Sequence, residues 1–82
     1  MKYDNKQSIV ASERDALEII KELGLANPEE VGKELGFSAE YAAILIKALR
    51  KQGYVRGTSI TGYEATDKGK AFAAELTKER GA

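Results

Sequence analysis

Lys47, Arg50 and Lys51 fall at three- and four-residue spacing in the stretch EYAAILIKALRKQ, the interval that brings side chains together on one face of an α-helix. Stepping at about 100° per residue places Glu40, Ala43, Ile44, Lys47, Arg50 and Lys51 on one side. Ala42, Leu45, Ile46 and Leu49 take the other, with Tyr41 and Ala48 on a flank. Cations on an exposed helix face neutralise phosphates and release the counterions condensed on a nucleic acid. Ser38 precedes this helix, where a hydroxyl caps it and the first backbone N–H groups face an anion. Arg56 and the hydroxyls of Thr58, Ser59 and Thr61 follow in or beside the glycine-bounded segment GTSITG and extend the set of phosphate partners. The same residue types also serve as solvated lysines and arginines, and as hydroxyls that form a turn.

Catalytic chemistry is poorly supplied. The chain has no histidine and no cysteine, which removes the commonest general base, nucleophile and metal ligands together. A disulfide or a thiolate metal site is excluded with them. The carboxylates are scattered or stand at helix starts, where capping and the helix dipole account for them. Gly57 and Gly62 have the spacing of a phosphate-binding P-loop, but Tyr63-Glu64 follows in place of a lysine and a hydroxyl residue. Neither an enzymatic activity nor a cofactor is expected.

Thirteen basic and thirteen acidic residues leave the chain with no net charge, unlike a protein that coats nucleic acid through bulk charge. The distribution is uneven. Residues 1–40 carry five Lys/Arg against nine Asp/Glu, a net of −4, and residues 41–82 carry eight against four, a net of +4. No acid occurs between Glu40 and Glu64, where Lys47, Arg50, Lys51 and Arg56 lie. Such a local field attracts a polyanion to a neutral molecule. The 82 residues suffice for one small domain, and 43% hydrophobic with 32% charged residues is a soluble globular composition. No run approaches the roughly 18 apolar residues of a membrane span, and MKYDNKQSIV lacks a signal-peptide core. A cytoplasmic location away from membranes is therefore expected.

The elements that must position the cations are legible in outline. Residues 1–11 show little periodicity and read as an N-terminal arm, leaving 12–80 as the folded domain. Ser12 is expected to cap a first helix in a capping-box variant, with Ala16, Leu17, Ile20 and Leu23 inward and Gly24 as its stop. Asn27-Pro28-Glu29-Glu30 starts a second helix, with Val31 and Leu35 inward and Gly36 at its end. Ser38 caps the third, which runs to about Gln52 and is closed by Gly53. The period then changes: Tyr54-Val55-Arg56 and Tyr63-Glu64-Ala65 suit two strands joined through a small polar tip. Thr66 or Asp67 caps a last helix, with Ala71, Phe72, Glu75 and Leu76 at helical spacing. The expected class is mainly α with a small β-hairpin, ordered α-α-α-β-β-α.

The stretch from Pro28 to Lys47 resembles a helix-turn-helix. Gly36 fits the turn, Gly32 permits a close crossing, and Val31, Leu35, Phe37, Ala42 and Leu45 have the spacing that pins one helix on the other. A helical hairpin with no DNA role has the same residues, because a fold does not imply a function. Over residues 12–78 the chain further resembles winged-helix regulators of the MarR, ArsR and PadR kind. Leu49, Gly53, Tyr54 and Val55 match the segment leading into the wing in those families, and Tyr63, Thr66 and Gly69 match the segment leading out. Ala65 departs from the usual leucine, which implies a thinner contact between wing and core.

That resemblance implies binding of double-stranded DNA by a transcriptional regulator of a prokaryote or its viruses. The third helix would lie in the major groove, and the wing beside the backbone or the minor groove. The helix face agrees only in part. Ala43 and Ile44 occupy its middle, where Arg, Asn or Gln would read base edges. They suit thymine methyl groups, and Glu40 suits a cytosine amino group while repelling phosphates. The same apolar pair suits a protein surface. A winged-helix protein–protein interaction module without DNA binding is therefore the alternative, with a second copy of the chain or another protein as partner.

Overall fold

Asn27 begins the second helix with a complete reciprocal cap: its side chain accepts from the Glu30 N–H at 2.8 Å, and the Glu30 carboxylate accepts from the Asn27 N–H at 2.9 Å. Ser38 caps the third helix from one side only, its hydroxyl oxygen accepting from the Tyr41 N–H at 3.1 Å. Both helices end on a glycine in the left-handed region, Gly36 at φ 80° and Gly53 at φ 85°. The N–H after each glycine bonds back to the last turn, Phe37 to the Gly32 carbonyl at 2.8 Å and Tyr54 to the Leu49 carbonyl at 2.9 Å. That geometry closes the helices where the chain must turn.

The structure, a computed structural model, describes residues 11–81, with side chains described for 11–75. Its elements are α1 (Ala11–Leu23), α2 (Pro28–Leu35), α3 (Ala39–Lys51), β1 (Val55–Thr58), β2 (Gly62–Ala65) and α4 (Asp67–Gly81). This order, three helices then a hairpin and a last helix, is that of a winged helix-turn-helix. Apart from Ala11, which is already helical, the expected arm lies outside the described residues, as does the side chain of Leu76.

One apolar core joins the elements. Ala16, Leu17 and Ile20 of α1 meet Val31 of α2, Ala42, Leu45, Ile46 and Leu49 of α3, Val55 and Ala65 of the hairpin, and Ala73 of α4. No charged or polar side chain is buried among the described residues, so burial of hydrocarbon carries the fold. Gly32 allows the helix-turn-helix to close: a Cβ there would stand 2.7 Å from the Phe37 carbonyl oxygen.

The structure corrects four expectations. Ser12 lies within the first turn of α1 and does not cap it. Leu23 stays exposed at the last position of α1, where Ile20 one turn earlier is the final residue of that helix in the core. Phe37 is also exposed; it packs edge-on against Tyr41, ring centroids 4.8 Å apart, rather than pinning α2 on α3. On α4 the inward residue is Ala73 and Ala71 is exposed, with Phe72 half-buried against the core. The helix is rotated toward Gly69 and Ala73 because Gly69 must face the Tyr54 backbone, where any Cβ would overlap the carbonyl.

The hairpin is antiparallel, pairing Val55 with Ala65, Arg56 with Glu64, Gly57 with Tyr63 and Thr58 with Gly62. Ala26 adds a bridge on the far side of β2, its N–H and carbonyl both bonded to Tyr63 at 3.0 and 2.7 Å. Thr66 fixes the exit from the hairpin. Its hydroxyl donates to the Gly53 carbonyl at 2.6 Å and accepts from the Gly69 N–H at 3.0 Å, and its own N–H bonds to the Tyr54 carbonyl at 3.0 Å. Thr66 is thus the α4 cap. Ala65, small where the resemblance implies leucine, is buried, and aromatic bulk at this core comes from Tyr54 stacked on Phe72 at 4.8 Å.

Two substitutions test this construction by urea denaturation. Leu45→Ala is expected to cost about 2–5 kcal/mol, a large share of the 5–15 kcal/mol that small domains possess. Thr66→Ala, which removes a cap and a link to α3, is expected to cost about 1–2 kcal/mol. Unchanged denaturation midpoints for both would contradict the core and the junction described.

Candidate nucleic-acid interface

Capping at Ser38 and closure at Gly53 set the phase of α3, and the phase decides which side chains reach solvent. Glu40, Ala43, Ile44, Lys47, Arg50 and Lys51 are all exposed, while Ala42, Leu45, Ile46 and Leu49 are buried. The two faces divide as the sequence periodicity predicts. No ion pair among the described residues engages Lys47, Arg50 or Lys51. Arg50 and Lys51 stand in the last turn, where they also complement the negative end of the helix dipole. The exposed face therefore carries an acid at its N-terminal end, an apolar middle and free cations toward its C-terminal end.

The apolar middle is real surface: Ile44 is 62% exposed, beside Ala43. Tyr41 and Phe37, touching edge to face, are also exposed near the start of the helix. The Ser38 hydroxyl is already used by the Tyr41 N–H.

The wing differs from the expectation in three respects. Arg56 is not a free cation, because Glu64 lies directly across the hairpin and its carboxylate accepts from the Arg56 guanidinium at 2.8 Å. With both side chains largely in solvent, this pairing lowers the local charge more than it adds stability. The hydroxyls of Thr58 and Thr61 hold the turn: Thr58 Oγ1 accepts from the N–H groups of Ile60 and Thr61 at 3.2 and 3.1 Å, and Thr61 Oγ1 accepts from the Thr58 N–H at 3.2 Å. Only Ser59 among the three hydroxyl residues remains outside this network. The tip is not wholly polar, for Ile60 projects from it at 92% exposure.

The exposed tip had a signal in the sequence. An isoleucine inside a segment otherwise made of glycine, threonine and serine has no turn-forming reason to be there. The Arg56–Glu64 pair follows from a register centred on Ile60, whereas centring the turn between Gly57 and Gly62 would set position 56 opposite 63. Lys68 is engaged elsewhere: its ammonium donates to the Gln52 carbonyl at 2.9 Å and lies 5.1 Å from the centre of the Tyr54 ring, so it holds α4 to the end of α3.

Among the described residues no cluster of three or more acidic side chains is arranged to hold a metal, and no helix is long and apolar enough to cross a membrane. No family model and no curated protein matches the sequence. Among solved structures, the chain is similar to a transcriptional regulator from Thermotoga maritima, with a TM-score of 0.66 and 25% identity. The likeness covers 93% of this chain and 65% of that one, so the chain spans about two thirds of the regulator's length.

Ile44→Glu checks whether the exposed face is placed correctly. An exposed residue outside the core should alter stability by less than about 0.5 kcal/mol, leaving the thermal melt followed by circular dichroism nearly unchanged. A large loss of helicity would mean that Ile44 is a core residue.

Proposed function

We propose that this chain is a double-stranded DNA-binding module of a transcriptional regulator, acting in the cytoplasm of a prokaryote or its virus. The observation that carries the reading is the set of free cations, Lys47, Arg50 and Lys51, on the exposed face of the second helix of a helix-turn-helix. The likeness to a transcriptional regulator supports it. In this reading α3 enters the major groove, about 12 Å wide in B-DNA and able to admit a helix. The three cations then neutralise flanking phosphates. Ala43 and Ile44 face base edges and offer apolar contact to thymine methyl groups. Glu40 accepts from a cytosine amino group and turns away other pairs at its position. The Ser38 end of α3 adds backbone N–H groups toward a phosphate, and Ser59 offers a hydroxyl from the wing. Binding occupies a site and transfers no group, so the function is not enzymatic and requires no cofactor.

Exposure of Ile44, Tyr41 and Phe37 along one side of the helix-turn-helix favours a second reading, a protein-interaction module. Contact with a second copy or another protein would bury that side.

Fluorescence anisotropy of a labelled duplex over a range of salt concentrations separates the two. With three free cations the logarithmic salt slope should be about −3. Arg50→Ala with Lys51→Ala should weaken binding to every sequence and bring the slope to about −1. Absence of duplex binding at low salt, with association of the chain lost on Ile44→Glu, would establish the interaction module in its place.

A further inference from the structure

The exposed side of α3 is built as two halves that complement each other. Glu40, Ile44, Lys47 and Lys51 follow one another at intervals of four, three and four residues, the spacing of a coiled-coil seam. At about 100° per residue they fall within an arc of roughly 60°, opposite the buried Ala42, Leu45, Ile46 and Leu49, and all four are exposed. Ile44 stands in the middle at 62% exposure, with an acid one turn before it and cations one and two turns after it. Among the described residues neither Glu40 nor Lys47 has an ion-pair partner. Ala43 and Ala48 beside the stripe are small, so a second helix can approach to the distance of about 8–10 Å at which helices pack.

A duplex accounts for the cations and leaves Glu40 repelling phosphates. A second copy of the same face uses both signs. Turned end for end about a two-fold axis through Ile44, a second α3 lays its own Ile44 on the first. Glu40 lies about 6 Å along the helix on one side of that axis and Lys47 about 4.5 Å on the other, at about 1.5 Å per residue. Reversal therefore sets Glu40 of each copy nearly level with Lys47 of the other, twice by symmetry. Tyr41, exposed on the flank, comes level with the same ammonium, which its ring attracts. A parallel arrangement would instead oppose Glu40 to Glu40 and Lys47 to Lys47, and like charges reject it.

We propose that a second copy of this chain covers α3, the two copies packing antiparallel through Ile44 with Glu40 of each facing Lys47 of the other. One face of a 13-residue helix falls short of the roughly 800 Å² per partner of a standard interface. The pair is therefore weak and forms as the chain accumulates. It covers the face that would enter the major groove, so self-association and duplex binding exclude each other. The pairing gives the interaction reading above one occupant, and only the exclusion rests on the duplex-binding reading.

Sedimentation equilibrium of the full 82-residue chain without DNA, from about 10 µM to 1 mM, is expected to show monomers passing into dimers. Ile44→Glu, Glu40→Lys and Lys47→Glu should each weaken the dimer at least about 10-fold, with melts of dilute protein as in the parent. Mixing Glu40→Lys with Lys47→Glu restores every opposed pair and should dimerise as well as the parent. The same charge changes at Glu22 and Lys21, exposed on α1, should leave dimerisation as in the parent, alone or mixed. A parent that stays monomeric overturns the pairing while the duplex reading stands. Dimerisation that Ile44→Glu leaves unchanged, or an α3 mixture that stays monomeric, also overturns it. Excess duplex about one and a half helical turns long should convert parent dimers to one chain per duplex, and dimers that persist on the duplex overturn the exclusion. A parent that dimerises and binds no duplex overturns the exclusion and the duplex reading together, and the pairing stands.

Discussion

Thr66 stands where the end of α3, the entrance of β1 and the start of α4 meet. Its hydroxyl links the end of α3, through the Gly53 carbonyl, to the first turn of α4, through the Gly69 N–H. Its main-chain N–H ties the same point to Tyr54 at the entrance of β1. Gly69 is required because the Tyr54 carbonyl occupies the space a side chain would need. Lys68 reinforces the junction by donating to the last turn of α3. The direction of the hairpin relative to α3 therefore depends on a few polar contacts at the edge of an otherwise apolar core. The similarity to winged-helix regulators at Gly53, Tyr54, Thr66 and Gly69 acquires a physical cause here: these are the residues that set the wing at a fixed angle to the helix.

Charge is sorted by element. α1 and α2 hold most of the acids and α3 carries three exposed cations against one acid, so a chain with no net charge still presents a basic helix face. The neutral total limits indiscriminate attachment to polyanions, and the local field sets which face approaches one. Pairing of Arg56 with Glu64 narrows that surface further, leaving the unpaired cations beside the hairpin on the C-terminal half of α3 and not on the hairpin itself.

Much of this is legible in the sequence. Caps at Asn27 and Ser38, glycine stops at Gly24, Gly36 and Gly53, and the two faces of α3 follow from local rules, because hydrogen bonding within a few residues determines them. What the periodicity missed depended on distant partners. Leu23 and Phe37 have apolar side chains at plausible spacing, yet whether they are covered depends on where the chain travels next. The rotation of α4 toward Ala73 follows from Gly69 meeting the Tyr54 backbone fifteen residues earlier, which helical spacing does not encode. The pairing of Arg56 with Glu64 required the strand register. The candidate site was accordingly more legible on α3, a single helix, than on the wing, where two strands combine.

The left-handed backbone at Gly57 bears on what the free edge of β1 can pair with. Among the described residues β1 pairs only with β2, which leaves its outer rim of N–H and carbonyl groups open to a foreign strand. Such a rim is a template for intermolecular sheet growth when it is long, flat and hydrophobic. Here it is four residues long and reads Val-Arg-Gly-Thr, and at Gly57 the backbone leaves the β region altogether. An incoming strand would find an interrupted ladder beside a charged pair. The same glycine that shapes the turn thus also breaks the edge beside it, so that the isoleucine at the tip does not stand at the end of a continuous open strand.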